Sequence, residues 1–242
     1  MSTELSGQNI KENLEAIRNR ISQAEKKSGR APGSVKLMAV SKFHPAEAVI
    51  NAFEAGQLLF GENRVQEASE KFPPIISQHP EIKVQMIGQL QSNKVKKAIE
   101  FASCIQSVDR IDLLKEIEKQ CAKQNRTIDI LFEIHTGEES KSGYTSEQEL
   151  IESIEACIKG DFPHITPKGF MTMAPFTDDE KAVRKSFITL RELAEKLRST
   201  YPTLSLNELS MGMSGDFEIA IEEGSTLVRV GTAIFGERDY TK

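Results

Sequence analysis

Three groups of residues have types and spacings that can do chemistry. "KLMAVSKFHP" (36–45) is apolar through Leu37, Met38, Ala39 and Val40 and then delivers Lys42. Lysine is among the side chains least often buried. Side chains alternate along a strand, so Lys42 shares a face with Met38 and Val40. On an inward face, desolvation lowers the amine's pKa, and the free base attacks an aldehyde to form an imine. On an outward face, Lys42 is a surface lysine just past a strand. "SMGMSGDFEIAIEEGS" (210–225) has Gly212 and Gly215 for a tight turn, Ser214 as an N-cap, and a helix over 216–222. The N–H groups at such a start can seat a phosphate, or the segment is simply a well-capped helix with Asp216 and Glu218 matched to its dipole. "LVRVGTAIFG" (227–236) places Arg229 mid-strand and opens the next loop with Gly231 and Thr232. A guanidinium keeps its charge, so an inward-facing one requires a partner.

These groups need a scaffold that brings three distant segments together. Apolar runs at 36–41, 57–60, 83–87, 103–108, 128–134, 168–173, 206–210 and 226–230 read as strands. Helical patterns at 45–55, 91–102, 109–124, 145–159, 178–200 and 215–223 lie between them, several opening on Pro45, Ser92, Asp109, Thr145 or Asp178. Strict alternation implies parallel pairing, and eight such units close into an α/β (β/α)8 TIM barrel. An open doubly wound sheet competes less well, because no Gly-rich nucleotide turn is present. Ile10, Leu14, Ile17 and Ile21 mark an extra amphipathic helix before the first strand. The reading is a single domain spanning 1–242. In this architecture, active sites form at the C-terminal ends of the strands, with phosphate often held by the loops after strands seven and eight. A lysine after strand one, with a phosphate cradle and an arginine from strands seven and eight, fits a phosphorylated aldehyde. Either a sugar phosphate or pyridoxal 5′-phosphate (PLP) meets that description.

Composition narrows the setting. The net charge of −5 gives no footprint for nucleic acid, and "NKVKK" (93–97) reads as a solvated helix face. No apolar stretch is long enough for a membrane span, and the N-terminal segment has no signal-peptide core. Three cysteines (Cys104, Cys121, Cys157) without a CxxC pair argue for reduced thiols and a cytoplasmic location. Four scattered histidines (His44, His79, His135, His164) lack ligand spacing, so no metal site is expected.

"AVSKFHPAEAV" (39–49), "FGENRVQEA" (60–68), "MIGQLQSNK" (86–94), "EESKSGY" (138–144), "GFMTMAP" (169–175), "LSMGMSGDFEIAI" (209–221) and "GSTLVRVGTAIFGER" (224–238), in this order, resemble the PLP homeostasis protein family. That family has the fold type III barrel, similar to the N-terminal domain of alanine racemase. The resemblance implies PLP bound as an imine on Lys42, its phosphate held by Ser214, Gly231 and Thr232, and Arg229 facing the pyridine nitrogen. It places Asn63 and Met171 beside the ring; the bland alternative for Asn63 is a helix cap. Gln85 stands where the family commonly has His, and His135 where it often has Asn.

The implied function is non-catalytic intracellular PLP homeostasis: buffering the cofactor or delivering it to PLP-accepting apoenzymes, linked to amino-acid and keto-acid balance. An arginine at the ring nitrogen makes a poor electron sink. Racemases of this fold use a second base, a tyrosine from a separate domain. The sequence ends shortly after strand eight, and of its tyrosines (Tyr144, Tyr201, Tyr240) only Tyr144 is expected near the mouth. The alternatives are a PLP-dependent racemase or decarboxylase, a Schiff-base aldolase, and an interaction module with a vestigial pocket. A monomer is expected.

Overall fold

The computed structural model describes residues 7–137 and 142–237. Its strands are β1 (Lys36–Val40), β2 (Leu59–Glu62), β3 (Lys83–Met86), β4 (Cys104–Val108), β5 (Ile128–Glu133), β6 (Ile165–Met171), β7 (Glu208–Ser210) and β8 (Leu227–Val230). They pair in chain order, all parallel, and β8 closes onto β1 with Met38 opposite Arg229. This is the (β/α)8 barrel expected from the alternation of apolar runs. The helices are α1 (Gly7–Lys27), α2 (Ala46–Glu54), α3 (Val65–Gln78), α4 (Val95–Ile99), α5 (Ile111–Gln124), α6 (Glu147–Lys159), α7 (Glu180–Thr200), α8 (Phe217–Glu222) and α9 (Thr232–Phe235).

The α1 helix buries Ile10, Leu14, Ile17 and Ile21 and lies against α2, α8 and α9. It thus covers the flank of the barrel where the first and last units meet. The main core fills the space between sheet and helices. Inside the cylinder, Cys104, Leu131 and Met171 form a separate layer, with Met173 packed against it. Strands β6 and β7 approach so closely that a Cβ on Gly169 (φ +152°) would sit 1.9 Å from the Glu208 carbonyl oxygen, so only glycine fits. Helix starts follow capping chemistry one residue later than the sequence suggests: Ser146 accepts from the Glu149 N–H, and Asp179 from the Lys181 N–H. Among the described residues, no helix is long and apolar enough to cross a membrane.

Candidate cofactor-binding site

Strand β1 stops at Val40, and residues 41–44 form a turn before α2. Lys42 is half-buried there and lines a cavity of about 530 Å³ at the C-terminal ends of the strands. Asn63, Ser214, Arg229, Gly231 and Thr232 line the same cavity. Six of the seven residues singled out in the sequence therefore surround one space. Met171 is the exception: it lies fully buried one layer down, against Cys104 and Leu131, and Met173 takes the position on the wall. The two methionines share a strand face, but only the second is high enough to reach the opening.

The loops after β7 and β8 are tied to each other. Ser214 Oγ accepts a hydrogen bond from the Gly231 N–H at 3.3 Å, so Ser214 is not the cap of α8. Asp216 occupies the cap position; its Oδ1 accepts from the Met213 N–H at 2.5 Å and tightens the turn. The turn depends on Gly212 (φ +97°), where a Cβ would come within 2.6 Å of the Ala220 methyl. Asn63 does not cap α3 either; Arg64 holds that position, and Asn63 Oδ1 is buried without a partner among the described residues. An unpaired buried acceptor beside a cavity calls for a donor from whatever occupies the space.

Arg229 is buried and points inward from β8. It donates to Ser210 Oγ (2.8 Å) and to the Thr172 carbonyl (2.8 Å), and no described carboxylate forms an ion pair with it. Burial lowers its pKa to about 10, opposed by the more distant charges of Asp216 and Glu133. The guanidinium therefore stays charged at neutral pH and contributes positive potential to the cavity. Behind it a polar chain crosses the barrel: Ser210 Oγ donates to Gln106 Oε1 (2.7 Å), and Gln106 Nε2 to Gln85 Oε1 (2.6 Å). Gln85 thus belongs to the support of Arg229 and does not line the cavity. His135 lies on a different cleft, with Ile134, Tyr144, Leu193 and Lys196.

Tyr144 is not at the mouth. Its ring is buried edge-on to Phe132, and its hydroxyl pairs with Ser153 Oγ at 2.8 Å. Burial raises its pKa. Tyr201 donates to Glu155 at 3.0 Å. Tyr240 and residues 138–141 of the "EESKSGY" loop lie outside the described residues. Sequence reasoning missed Thr172, Ser210, Gln106 and the trio of buried Glu62 and Lys71 with half-buried Glu67. The signal for Glu62 was available, since it ends the apolar run "LLFGE" just as Lys42 ends "LMAVSK". Among the described residues, no group of three or more His, Cys, Asp or Glu is arranged to hold a metal ion.

Residues 12–239 match the family model of the alanine racemase N-terminal domain. A pyridoxal phosphate homeostasis protein of Vibrio cholerae is 40% identical over 241 residues, which cover 96% of this chain and 98% of that protein. Among solved structures, PipY of Synechococcus elongatus with PLP bound has a TM-score of 0.82 at 34% identity, covering 94% of this chain and 100% of that one. Alanine racemase from Corynebacterium glutamicum has a TM-score of 0.68 at 19% identity, covering 94% of this chain and 62% of that one, a likeness of fold.

Proposed function

The chain belongs to the alanine racemase N-terminal domain family, among the pyridoxal phosphate homeostasis proteins, and from that premise we propose that it binds PLP as an imine on Lys42 and buffers or delivers the cofactor without turning over a substrate. One observation carries this reading: Lys42, Asn63, Ser214, Arg229, Gly231 and Thr232, drawn from four separate segments, all border one cavity. The donor set fits the group. PLP supplies an aldehyde, an anionic phosphate and an aromatic ring nitrogen. Lys42 offers the amine. Ser214, Thr232 and the bare backbone at Gly231 offer a small polar seat for the phosphate, and the unpaired Asn63 Oδ1 offers an acceptor.

Arg229 favours holding over turnover. Its two hydrogen bonds go to neutral acceptors, so its charge is not cancelled at close range. If the ring nitrogen of PLP lay beside it, such a cation would keep that nitrogen unprotonated and weaken the ring as an acceptor of carbanion charge. Tyr144 has its hydroxyl engaged by Ser153 away from the cavity and is not placed as a second base. Release to PLP-accepting apoenzymes, a monomeric state and a cytoplasmic location complete the proposal.

The test is spectroscopic. PLP added to the purified chain is expected to give a visible absorption band that borohydride reduction removes, leaving a reduced adduct on the peptide containing Lys42. Lys42→Ala is expected to abolish the band; a band that persists in the variant would place the imine on another lysine. Incubation of the loaded protein with L-alanine in deuterated water is expected to leave the α-proton unexchanged by NMR. Exchange at enzymatic rates would make it a racemase-like catalyst instead.

A further inference from the structure

Lys71 is one of the few buried charges, and its surroundings are all parts of one device. Its ammonium lies 2.7 Å from Glu62 Oε1 and 2.9 Å from Glu67 Oε1. It also donates to the carbonyls of Ser41 (2.9 Å) and His44 (3.0 Å), the two ends of the turn that carries Lys42. The carboxylates grip the same turn. Ser41 Oγ donates to Glu62 Oε1 at 2.7 Å, and the Phe43 N–H donates to Glu67 Oε1 at 2.7 Å. Ser41, Phe43 and His44 are thus each fastened by the trio.

The turn needs fastening. Phe43 has φ +66°, a left-handed conformation that non-glycine residues adopt reluctantly and that persists only when the surroundings impose it. Arg64 stacks over the Phe43 ring at 4.8 Å, and His44 lies against Phe235 at 5.1 Å, which adds two further restraints. For stability alone, a buried ion cluster offers little over apolar packing of the same volume. What it adds is a fixed geometry, and here the geometry fixed is that of the backbone flanking Lys42.

We propose that Lys71, with Glu62 and Glu67, is a positioning residue for Lys42: the trio locks the 41–44 turn so that the amine is presented to the cavity in the orientation that imine formation requires. This rests on the reading that Lys42 carries the imine. The wild-type chain is therefore tested first, by borohydride trapping of added PLP and peptide mapping. No adduct on Lys42 would overturn that reading and this inference together.

With the adduct found, two pairs of comparisons decide the inference. Lys71→Met combined with Glu62→Gln removes both buried charges at once and strands neither. The double variant is expected to fold, to hold PLP about tenfold more weakly, and to show a shifted imine pKa in a spectrophotometric titration. Its amides at 41–44 are expected to exchange faster with deuterium. Glu67→Ala and Glu67→Gln decide the matter even if the double variant fails to fold. The glutamine keeps an acceptor for the Phe43 N–H and is expected to bind PLP nearly as wild type, whereas the alanine is expected to lose affinity several-fold, roughly the effect of one lost hydrogen bond. A merely structural trio would change the melting temperature and leave the PLP dissociation constant and the imine pKa of all these variants at wild-type values. That result would overturn the inference.

Discussion

Among the described residues, two cations are buried near the mouth of the barrel, and they are held in opposite ways. Lys71 sits between two carboxylates and two carbonyls, so its charge is spent locally on the turn that carries Lys42. Arg229 has a hydroxyl and a carbonyl as its hydrogen-bond partners and borders the cavity directly. Equal burial therefore serves different ends. A cation with a matched counter-charge contributes geometry. A cation held by neutral dipoles contributes potential, since charge in a low-dielectric surrounding acts at longer range than in water.

The largest expected effect separates the two on stability. Lys71→Met leaves Glu62 buried and uncompensated, a change that costs about 3–5 kcal/mol. Burial already raises the Glu62 pKa even with Lys71 beside it, so the stranded carboxylate would take up a proton or unfold the turn. Arg229→Met leaves a hydroxyl and a carbonyl without a donor and removes a desolvated charge, for a loss of about 1–3 kcal/mol. Urea unfolding of both variants measures the difference. Similar losses would show that Arg229 is as structural as Lys71 and break the comparison. For PLP binding the order is expected to reverse, with Arg229→Met changing the imine pKa more than any variant of the trio.

Next in size is a pH effect set in the field of Arg229. Burial raises the pKa of Glu133 at the end of β5 to about 7, while Ser142, Arg229 and His135 pull it back. Ser142 donates to its Oε1 at 2.8 Å, and its Oε2 has no partner among the described residues. The folded chain thus keeps this proton where the unfolded chain releases it, near 4.5. Stability from this group is fully present below pH 4.5 and is lost as the pH rises through 7, by about 3 kcal/mol in all. Glu133→Gln is expected to remove that slope, so that wild type and variant differ by a changing amount between pH 4.5 and 8 in thermal or urea melts. In an Arg229→Met background the Glu133 window is expected to move upward, because the cation that favours its ionised form is gone. An unmoved window would mean that Arg229 exerts no long-range field here.

How far the sequence carried these conclusions differs between fold and site. The alternation of apolar runs was enough for eight strands and a closed barrel, because each run feeds one buried strand. Boundaries slipped where side chains replaced the ladder. The second strand begins at Leu59 and not at 57, since the Gln57 amide donates to the carbonyls of Leu37 and Leu59. The sequence offers 65–78 only as a helix start behind an Asn63 cap, whereas α3 runs on through Pro73 and Pro74, which remove two of its backbone donors. In the site, the meeting of Lys42, Ser214 and Arg229 on one cavity was legible because a barrel brings the ends of its strands together. Alternation gave Met171 the right face but not its depth, and so missed Met173. The trio and the chain behind Arg229 were illegible for another reason: their contacts join residues far apart in sequence, such as Gln106 and Ser210, and no local spacing records such a pairing.

The smallest expected effect sharpens the comparison through two serines. Ser41 Oγ donates to the Glu62 carboxylate at 2.7 Å within the trio, while Ser214 Oγ accepts from the Gly231 N–H at 3.3 Å on the side of the cavity near Arg229. The first bond is short, buried and made to a charge, so Ser41→Ala is expected to cost about 1.5–3 kcal/mol of stability. The second is long and half-buried, so Ser214→Ala is expected to cost no more than about 0.5 kcal/mol. If the hydroxyl of Ser214 belongs to the phosphate seat, the same variant weakens PLP while weakening pyridoxal, which lacks the phosphate, hardly at all. Titrating both aldehydes against both variants makes the distinction. A Ser214→Ala protein that loses stability but keeps its preference for the phosphorylated aldehyde would assign that serine to the scaffold, and the potential of Arg229 would then be the feature that selects the anion.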